Sequence, residues 1–265
     1  MRLIWATDIH LNFISRDAAL SFCHSILELD SDGLLLTGDI AEGSDIVAWL
    51  EFLKDNLEIP IYFVLGNHDY YHSSIVGVRQ QIRKLDTSNR QLNWLGDGKV
   101  VGLSSSTALL GHGGWGDARA GDFMSTPIRL NDHRLIRELS NLPRATLMNE
   151  LHRLGDEAAA VLSRSLNEAM SWADHIVVMT HVPPFVGACW YQGQAGADER
   201  WIPDFVCMAT GSALMDAAKA NPHIVFDVYC GHTHGEGFYS PIKNLSVHTG
   251  KAEYKNPQVQ RVIEL

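Results

Sequence analysis

Residues 33–39 read Gly-Leu-Leu-Leu-Thr-Gly-Asp, a short apolar run that ends on a glycine and a carboxylate. Short apolar runs of this kind read as β-strands. Working outward, Arg2–Thr7 and Pro60–Leu65 are two more, and the amphipathic stretches Arg16–Leu29 and Ser44–Asn56 separate the three. That order is βαβαβ, which predicts parallel pairing in one sheet. Further strands are expected at Lys99–Ser104, His175–Thr180 and Ile224–Cys230, and a third helix over Ser73–Leu85. The clearest helix runs from about Arg144 to Ala173, where Leu147, Leu151, Leu154, Ala158, Val161 or Leu162, Leu166 and Met170 form one apolar stripe. From Gly237 onward, short alternating runs punctuated by Gly and Pro read as antiparallel strands.

The ends of these strands repeat one feature. Arg2–Thr7 leads into Asp8-Ile9-His10, and Gly33–Thr37 into Gly38-Asp39. Pro60–Leu65 leads into Gly66-Asn67-His68-Asp69, His175–Thr180 into His181, and Ile224–Cys230 into Gly231-His232-Thr233-His234. Any one of these alone reads as a turn or a helix cap. In open parallel sheets, however, the carboxyl ends of the strands converge on one edge, where ligands bind. Separate segments thus deliver Asp, Asn and His to a common place. Carboxylate, amide oxygen and imidazole together suit borderline divalent metals such as Mn, Fe, Co, Ni or Zn. No cysteine joins the cluster, which argues against a closed structural zinc site. Two adjacent cations need a bridging anion, and Asp39 lies in sequence between the two ligand groups.

As an ordered set, Asp8-x-His10, Gly38-Asp39, Gly66-Asn67-His68-Asp69, His181 and Gly231-His232-x-His234 resembles the calcineurin-like metallophosphoesterase superfamily. The likeness runs from residue 8 to residue 234, and class III cyclic-nucleotide phosphodiesterases share the full pattern. It implies an α/β fold built as a four-layer α/β/β/α sandwich, with two mixed sheets packed together and helices outside. It implies two metal ions, with Mn and Fe expected and Zn, Co and Ni as alternatives. Asp8, His10 and His234 would hold the first, Asn67, His181 and His232 the second, and Asp39 would bridge. The reaction implied is hydrolysis of a phosphate ester by in-line attack of a shared hydroxide, with His68 as general acid toward the leaving oxygen. A nearby carboxylate that raised the His68 pKa would suit this role, and Asp69 and Glu42 are candidate orienters. The stretch Gly38-Asp39-Ile40-Ala41-Glu42-Gly43 lacks the arginine of the protein Ser/Thr phosphatases, which argues against that activity. A phosphodiesterase acting on small molecules is the leading reading. A phosphomonoesterase of the same superfamily, or a non-catalytic metal-binding scaffold for protein partners, is the alternative.

Other features bound this reading. The net charge is −10, with 21 basic residues against 31 acidic ones, which argues against a partner held by nucleic-acid backbone electrostatics. No linker or repeat divides the chain, so one domain over residues 1–265 is expected, with elaborated loops at 111–131 and 183–210. Loops of that length are often functional. In the first, His112 could line the active site, and so could Arg119, unless it forms a solvated salt bridge with Asp117. In the second, Trp190, Tyr191, Trp201 and Phe205 could wall a flat substrate group or pack the loop itself, and Arg200 could meet a phosphate. The remaining histidines, His24, His72, His133, His152, His175, His223 and His248, read as surface or structural. Cys23, Cys189, Cys207 and Cys230 form no CxxC pair, and no run reaches the roughly 20 apolar residues that cross a bilayer. With no signal-peptide pattern at the N-terminus, the expectation is a soluble, cytoplasmic protein whose oligomeric state is open.

Overall fold

A computed structural model describes residues 1–196 and 198–265; Ala197, within the second long loop, lies outside the described residues. In chain order the strands are β1 (Arg2–Ala6), β2 (Gly33–Thr37), β3 (Ile61–Val64), β4 (Leu92–Trp94), β5 (Val101–Gly102), β6 (Thr107–Gly111), β7 (His175–Met179), β8 (Trp190–Tyr191), β9 (Gln194–Ala195), β10 (Val225–Cys230), β11 (Gly237–Ile242), β12 (Leu245–Thr249) and β13 (Val259–Glu264). The helices are α1 (Arg16–Leu27), α2 (Ile46–Leu57), α3 (Ile75–Ser88), α4 (Asp132–Leu135), α5 (Arg144–Ala169), α6 (Ile202–Phe205) and α7 (Met208–Ala220). Two mixed sheets carry the fold. One runs β13-β1-β2-β3-β4, with β13 antiparallel and the rest parallel. The other runs β11-β12-β10-β7-β6-β5, parallel in its centre and antiparallel at both edges.

Strand periodicity explains the layers. Successive side chains point to opposite faces, so Leu3 and Trp5 of β1 meet Leu109, Val177, Met179 and Tyr229 of the second sheet. Ile4 and Ala6 turn the other way, onto Phe22 of α1 and Leu50 and Leu53 of α2. On the far side, Leu110, Val178 and Phe226 pack beneath Leu162 and Leu166 of α5 and Leu214 of α7. The result is the expected α/β/β/α sandwich. Ser15 and Ser74 start α1 and α3 by accepting the amide hydrogens of Ala18 and Gly77 at 3.2 and 3.0 Å.

The elements differ from expectation in several places. The Lys99–Ser104 strand shrinks to the two residues of β5 on the sheet edge, and Thr107–Gly111, where no strand was expected, is a fully buried strand beside β7. Only the sheet distinguishes the two: Thr107 to Gly111 find partners from His175 to Met179, whereas the earlier run stays half-exposed. In the C-terminal part, β11 and β13 are antiparallel to their neighbours, but β12 runs parallel to β10. The second long loop is not irregular throughout, since it holds the β8–β9 hairpin and α6. Among the described residues, no helix is long and apolar enough to cross a membrane.

Candidate metal centre

The strand ends β1, β2, β3, β7 and β10 open onto one edge, and the corners after them are backbone-strained. Asp8, His10, Asp39, His232 and His234 all have positive φ, between 41° and 70°. Non-glycine residues adopt this region rarely, and such strain is held in place by surrounding structure, often at functional sites. Here backbone and carboxylate bonds hold it. Asp8 N–H donates to the Gly38 carbonyl at 3.1 Å, and His10 N–H to the Asp39 carbonyl at 3.0 Å. The His232 amide donates to Asp8 at 3.1 Å, and the His68 amide to Asp39 Oδ1 at 2.8 Å. Gly38, with φ of 90°, has no room for a side chain: a Cβ there would lie 2.7 Å from His181 Nδ1. Asp69 lies beneath these corners, accepting from Ile40, Ala41 and Gly66 at 2.8–2.9 Å and tying the β2 and β3 corners together.

The side chains form three overlapping groups. Asp8, His10 and His234 offer ligand atoms within 4.8 Å of one another, and so do Asp8, Asp39 and His181. A third such group is His10, Asp39 and His68. Asp8, His10, Asp39 and His181 are almost wholly buried. Burial raises the Asp39 pKa, and the neighbouring Asp8 raises it further. Burial also opposes the charge on Asp8, yet its hydrogen bond with His234 and the nearby imidazoles hold its pKa low. The His234 ring answers in kind, its pKa raised against burial by Asp8. His10 is driven down to about 3 by burial, and neither of its ring nitrogens has a hydrogen-bond partner.

A cation fits this arrangement, and the other half of the site shows why most directly. His181 Nδ1 lies 2.9 Å from the Thr37 carbonyl, which can only accept, so Nδ1 carries the hydrogen and Nε2 the lone pair. His232 Nε2 likewise donates to the Asp204 carbonyl at 3.0 Å, leaving the lone pair on Nδ1. Both lone pairs face Asn67 Oδ1 at 3.0 Å, because the Asn67 amide nitrogen is turned to Asp132. Burial keeps His181 neutral, with its pKa down to about 3, and lowers that of His232. Three acceptors therefore point at one another. A positive charge among them turns that repulsion into coordination, and the carbonyls behind the imidazoles fix their tautomers as second-layer partners of a metal do. Among the described residues no Lys or Arg pairs with Asp8 or Asp39, so the charge must come from elsewhere.

A family model described as calcineurin-like phosphoesterase matches residues 1–236. The chain belongs to the calcineurin-like phosphoesterase family. Among solved structures, the phosphopantetheinyl hydrolase of Mycobacterium tuberculosis aligns with a TM-score of 0.68 at 14% identity, over 95% of this chain and 89% of that one. A dimetal phosphatase from Danio rerio aligns at 0.54 and 13%, over 97% and 89%. A protein from Thermus thermophilus aligns at 0.54 and 12%, over 94% and 88%. At these identities the likeness is one of fold. No curated protein matches the sequence.

In this calcineurin-like phosphoesterase a cleft of about 310 Å³ opens over the cluster, and Asp39, Asn67, His68, His232 and His234 line its floor. His68 stands at the mouth, its Nε2 4.0 Å from Asp39 Oδ2, and stacks on Tyr71 at 4.2 Å. The expected rise in its pKa is not found: burial lowers it to about 4, against the pull of Asp132 and Asp8. Glu42 does not reach His68; half-buried, it sits 3.9 Å from the exposed His72. Four of the expected substrate contacts also lie elsewhere. His112 is buried, with Nδ1 accepting the Gly114 amide at 3.0 Å, because β6 runs on into the sheet and takes His112 with it. Arg119 pairs with Asp117 and Asp156 and points outward. Trp190 packs on Gly237, and Arg200 is exposed and paired with Asp198.

The walls of the cleft come instead from Leu130 and Asn131, at the far end of the first long loop, and from Tyr191, Phe205 and Tyr254. Tyr191 and Phe205 belong to the aromatic group read in the second loop. Tyr254 was missed. It follows β12 in a polar segment and packs tilted against His10 and His234, with ring centroids 4.6 and 5.0 Å apart. Asp132, immediately after the 111–131 loop, was missed as well. His133, read as surface or structural, is buried, 3.3 Å from Asp204.

Proposed function

We propose that this phosphoesterase is a dinuclear-metal-dependent hydrolase of small phosphate diesters whose alcohol part is flat and uncharged. The observation that carries the reading is the set of buried acceptors facing one another around Asp39 and Asn67 Oδ1, beside an imidazole at the cleft mouth. Asp8, His10, Asp39 and His234 would hold one ion and Asn67, Asp39, His181 and His232 the other. Bound there, the cations would lower the pKa of a water toward neutrality and neutralise charge on the phosphoryl oxygens.

The chain's own residues do the rest. His68 is the proton donor to the departing oxygen. Its ring is neutral in the open cleft, and the negative charge of an entering phosphoryl group favours the imidazolium form. Tyr71 holds the ring by stacking. Asp69 keeps the Asp39 and Asn67 corners in register.

Two features favour diesters. None of the residues lining the cleft is Lys or Arg, so only the metal centre and His68 answer anionic charge, and a diester carries one negative charge where a monoester carries about two. Tyr191, Phe205 and Tyr254 offer flat apolar faces to an aromatic or cyclic alcohol. Four free, buried cysteines accord with a reducing compartment, hence a cytoplasmic site of action. A phosphomonoesterase using the same ligands is the second reading.

Purified protein loaded with Mn²⁺ and assayed on bis-p-nitrophenyl phosphate, p-nitrophenyl phosphate, cyclic nucleotides and a phosphopantetheinyl ester tests this. A kcat/KM for the aryl diester about tenfold or more above that of the monoester is expected, which is at least about 1.4 kcal/mol of discrimination. The reverse ratio would establish the monoesterase. Silence on every ester with two ions bound would favour the scaffold.

A further inference from the structure

We propose that Asp132 is a positioning residue for the second metal site: it holds the Asn67 side chain so that its carbonyl oxygen, and not its amide nitrogen, faces the cation. The inference rests on the dinuclear reading above. A carboxamide has two ends of similar size and opposite polarity, and rotation by half a turn exchanges an acceptor for a pair of donors. Nothing within the Asn67 side chain selects one end. Its neighbours do.

Asn67 Nδ2 donates to Asp132 Oδ1 at 2.8 Å, and Tyr71 Oη donates to the same oxygen at 2.6 Å. Tyr71 Oη also lies 3.2 Å from Asn67 Nδ2, where it can accept. Asp132 is itself buried, at 7% exposure, so water competes little for this bond. An ionised carboxylate only accepts, so it can pair with the NH2 end of the amide and repels the carbonyl end. On the opposite side the lone pairs of His181 Nε2 and His232 Nδ1 would each accept a hydrogen bond from an amide NH2. In the free protein the imidazoles therefore favour the flipped amide, and Asp132 opposes it. Asp132 is brought to this place by the end of the 111–131 loop and the start of α4, 65 residues from its partner in sequence. This gives that loop a role at the metal centre distinct from lining the cleft.

Metal-stripped protein titrated calorimetrically with Mn²⁺ tests the assignment, with thermal unfolding followed by circular dichroism on the same samples. Wild type is expected to take up two ions. Asp132→Leu, similar in size but without an acceptor, should bind one ion with unchanged affinity and the other about 10- to 100-fold more weakly, the range typical for loss of an outer partner. Asp132→Asn keeps an acceptor oxygen and should stay within about threefold of wild type, far less than the usual outer-partner loss. The decisive variant is Asp132→Leu/Asn67→Asp: a carboxylate presents oxygen whichever way it turns, so the second ion should return.

If Asp132→Leu no longer melts cooperatively, Asp132→Ala with the same Asn67→Asp partner answers the question, with the same loss and recovery expected. Wild-type affinity for both ions in a folded Asp132→Leu or Asp132→Ala protein would overturn the proposal. So would failure of Asn67→Asp to recover the site in either background. Failure of wild type to bind a second ion would instead sink the dinuclear reading on which the proposal rests.

Discussion

His68, partly exposed at the cleft mouth, and His112, buried, both have a lowered pKa, and they do different things. His68 faces the cleft beside Asp39, whereas His112 faces a backbone amide. His68→Asn should therefore keep both metal ions and lower turnover by about 10²- to 10⁴-fold, the usual worth of a positioned proton donor. The loss should be greatest for alkyl leaving groups and small for p-nitrophenolate. Equal losses for the two leaving groups, measured with metal content unchanged, would count against proton donation. His112 bears on stability instead. Folded, its ring stays neutral down to about pH 3, whereas in the unfolded chain it takes up a proton below its ordinary value of 6.5. Between those values the unfolded state binds the extra proton, so this histidine weakens folding as pH falls through that window. His112→Asn keeps an acceptor for the Gly114 amide and removes the titration. In metal-free urea unfolding, the stability lost between pH 7 and pH 5 should be about 2 kcal/mol smaller for the variant. An unchanged loss would mean that the ring is already charged in the fold.

Elements explain why the residues meet. Parallel strands bring their carboxyl ends to one edge, and the edges of two sheets packed face to face give a site with candidate ligands from both. Asp8, Asp39 and Asn67 come from the first sheet, His181, His232 and His234 from the second. The mutual position of the sheets depends on the inner layer around Trp5, Tyr62 and Met179 and on the helices that cover each outer face. Leu162 of α5 is wholly buried against the second sheet. Leu162→Ala should lower unfolding free energy by about 2–5 kcal/mol, as cavity-forming substitutions of this type do, while leaving kcat at permissive temperature near wild type. Urea denaturation beside a p-nitrophenyl ester assay checks both. A large fall in kcat with little change in stability would show that α5 acts on the site and not only on the sheet. Element-level reading from sequence was good where periodicity ran long, as in α1, α2 and α5. It was poor for β4, β5 and β6, strands of two to five residues whose identity rests on pairing partners far away in the chain.

At the scale of the whole molecule, the edge cluster is a concentration of unfavourable electrostatics that folding alone does not relieve. Two carboxylates, five imidazoles and an amide oxygen are gathered there, and among the described residues no Lys or Arg pairs with either carboxylate. Metal binding should therefore stabilise the fold as well as equip it. At ion concentrations about 100-fold above Kd the linkage is worth about 2.7 kcal/mol per site. Removing the ions with a chelator should lower Tm by about 5–10 °C for a chain of this size. Adding Mn²⁺ back should restore it. An unmoved Tm in differential scanning calorimetry would mean that the cluster tolerates its own charge.

The sequence alone picked out the candidate ligand set, because each candidate lies within four residues of the end of a strand and strand ends have a predictable destination. Asp8, His10, Asp39, Asn67, His181, His232 and His234 needed only that rule and the family likeness to be picked out as candidates. Only the tertiary structure decided what surrounds them. Asp132 and Tyr254 reach the site through loops with no periodicity, and Glu42, His112, Arg119, Trp190 and Arg200 are carried away from it by local pairing. The physical reason is the range of the forces involved. Strand direction is set by local pattern and repeats along the chain, so a residue at a strand end inherits its position. A loop side chain goes where its hydrogen-bond partner or packing neighbour happens to be, and for Asp132 that neighbour is 65 residues away.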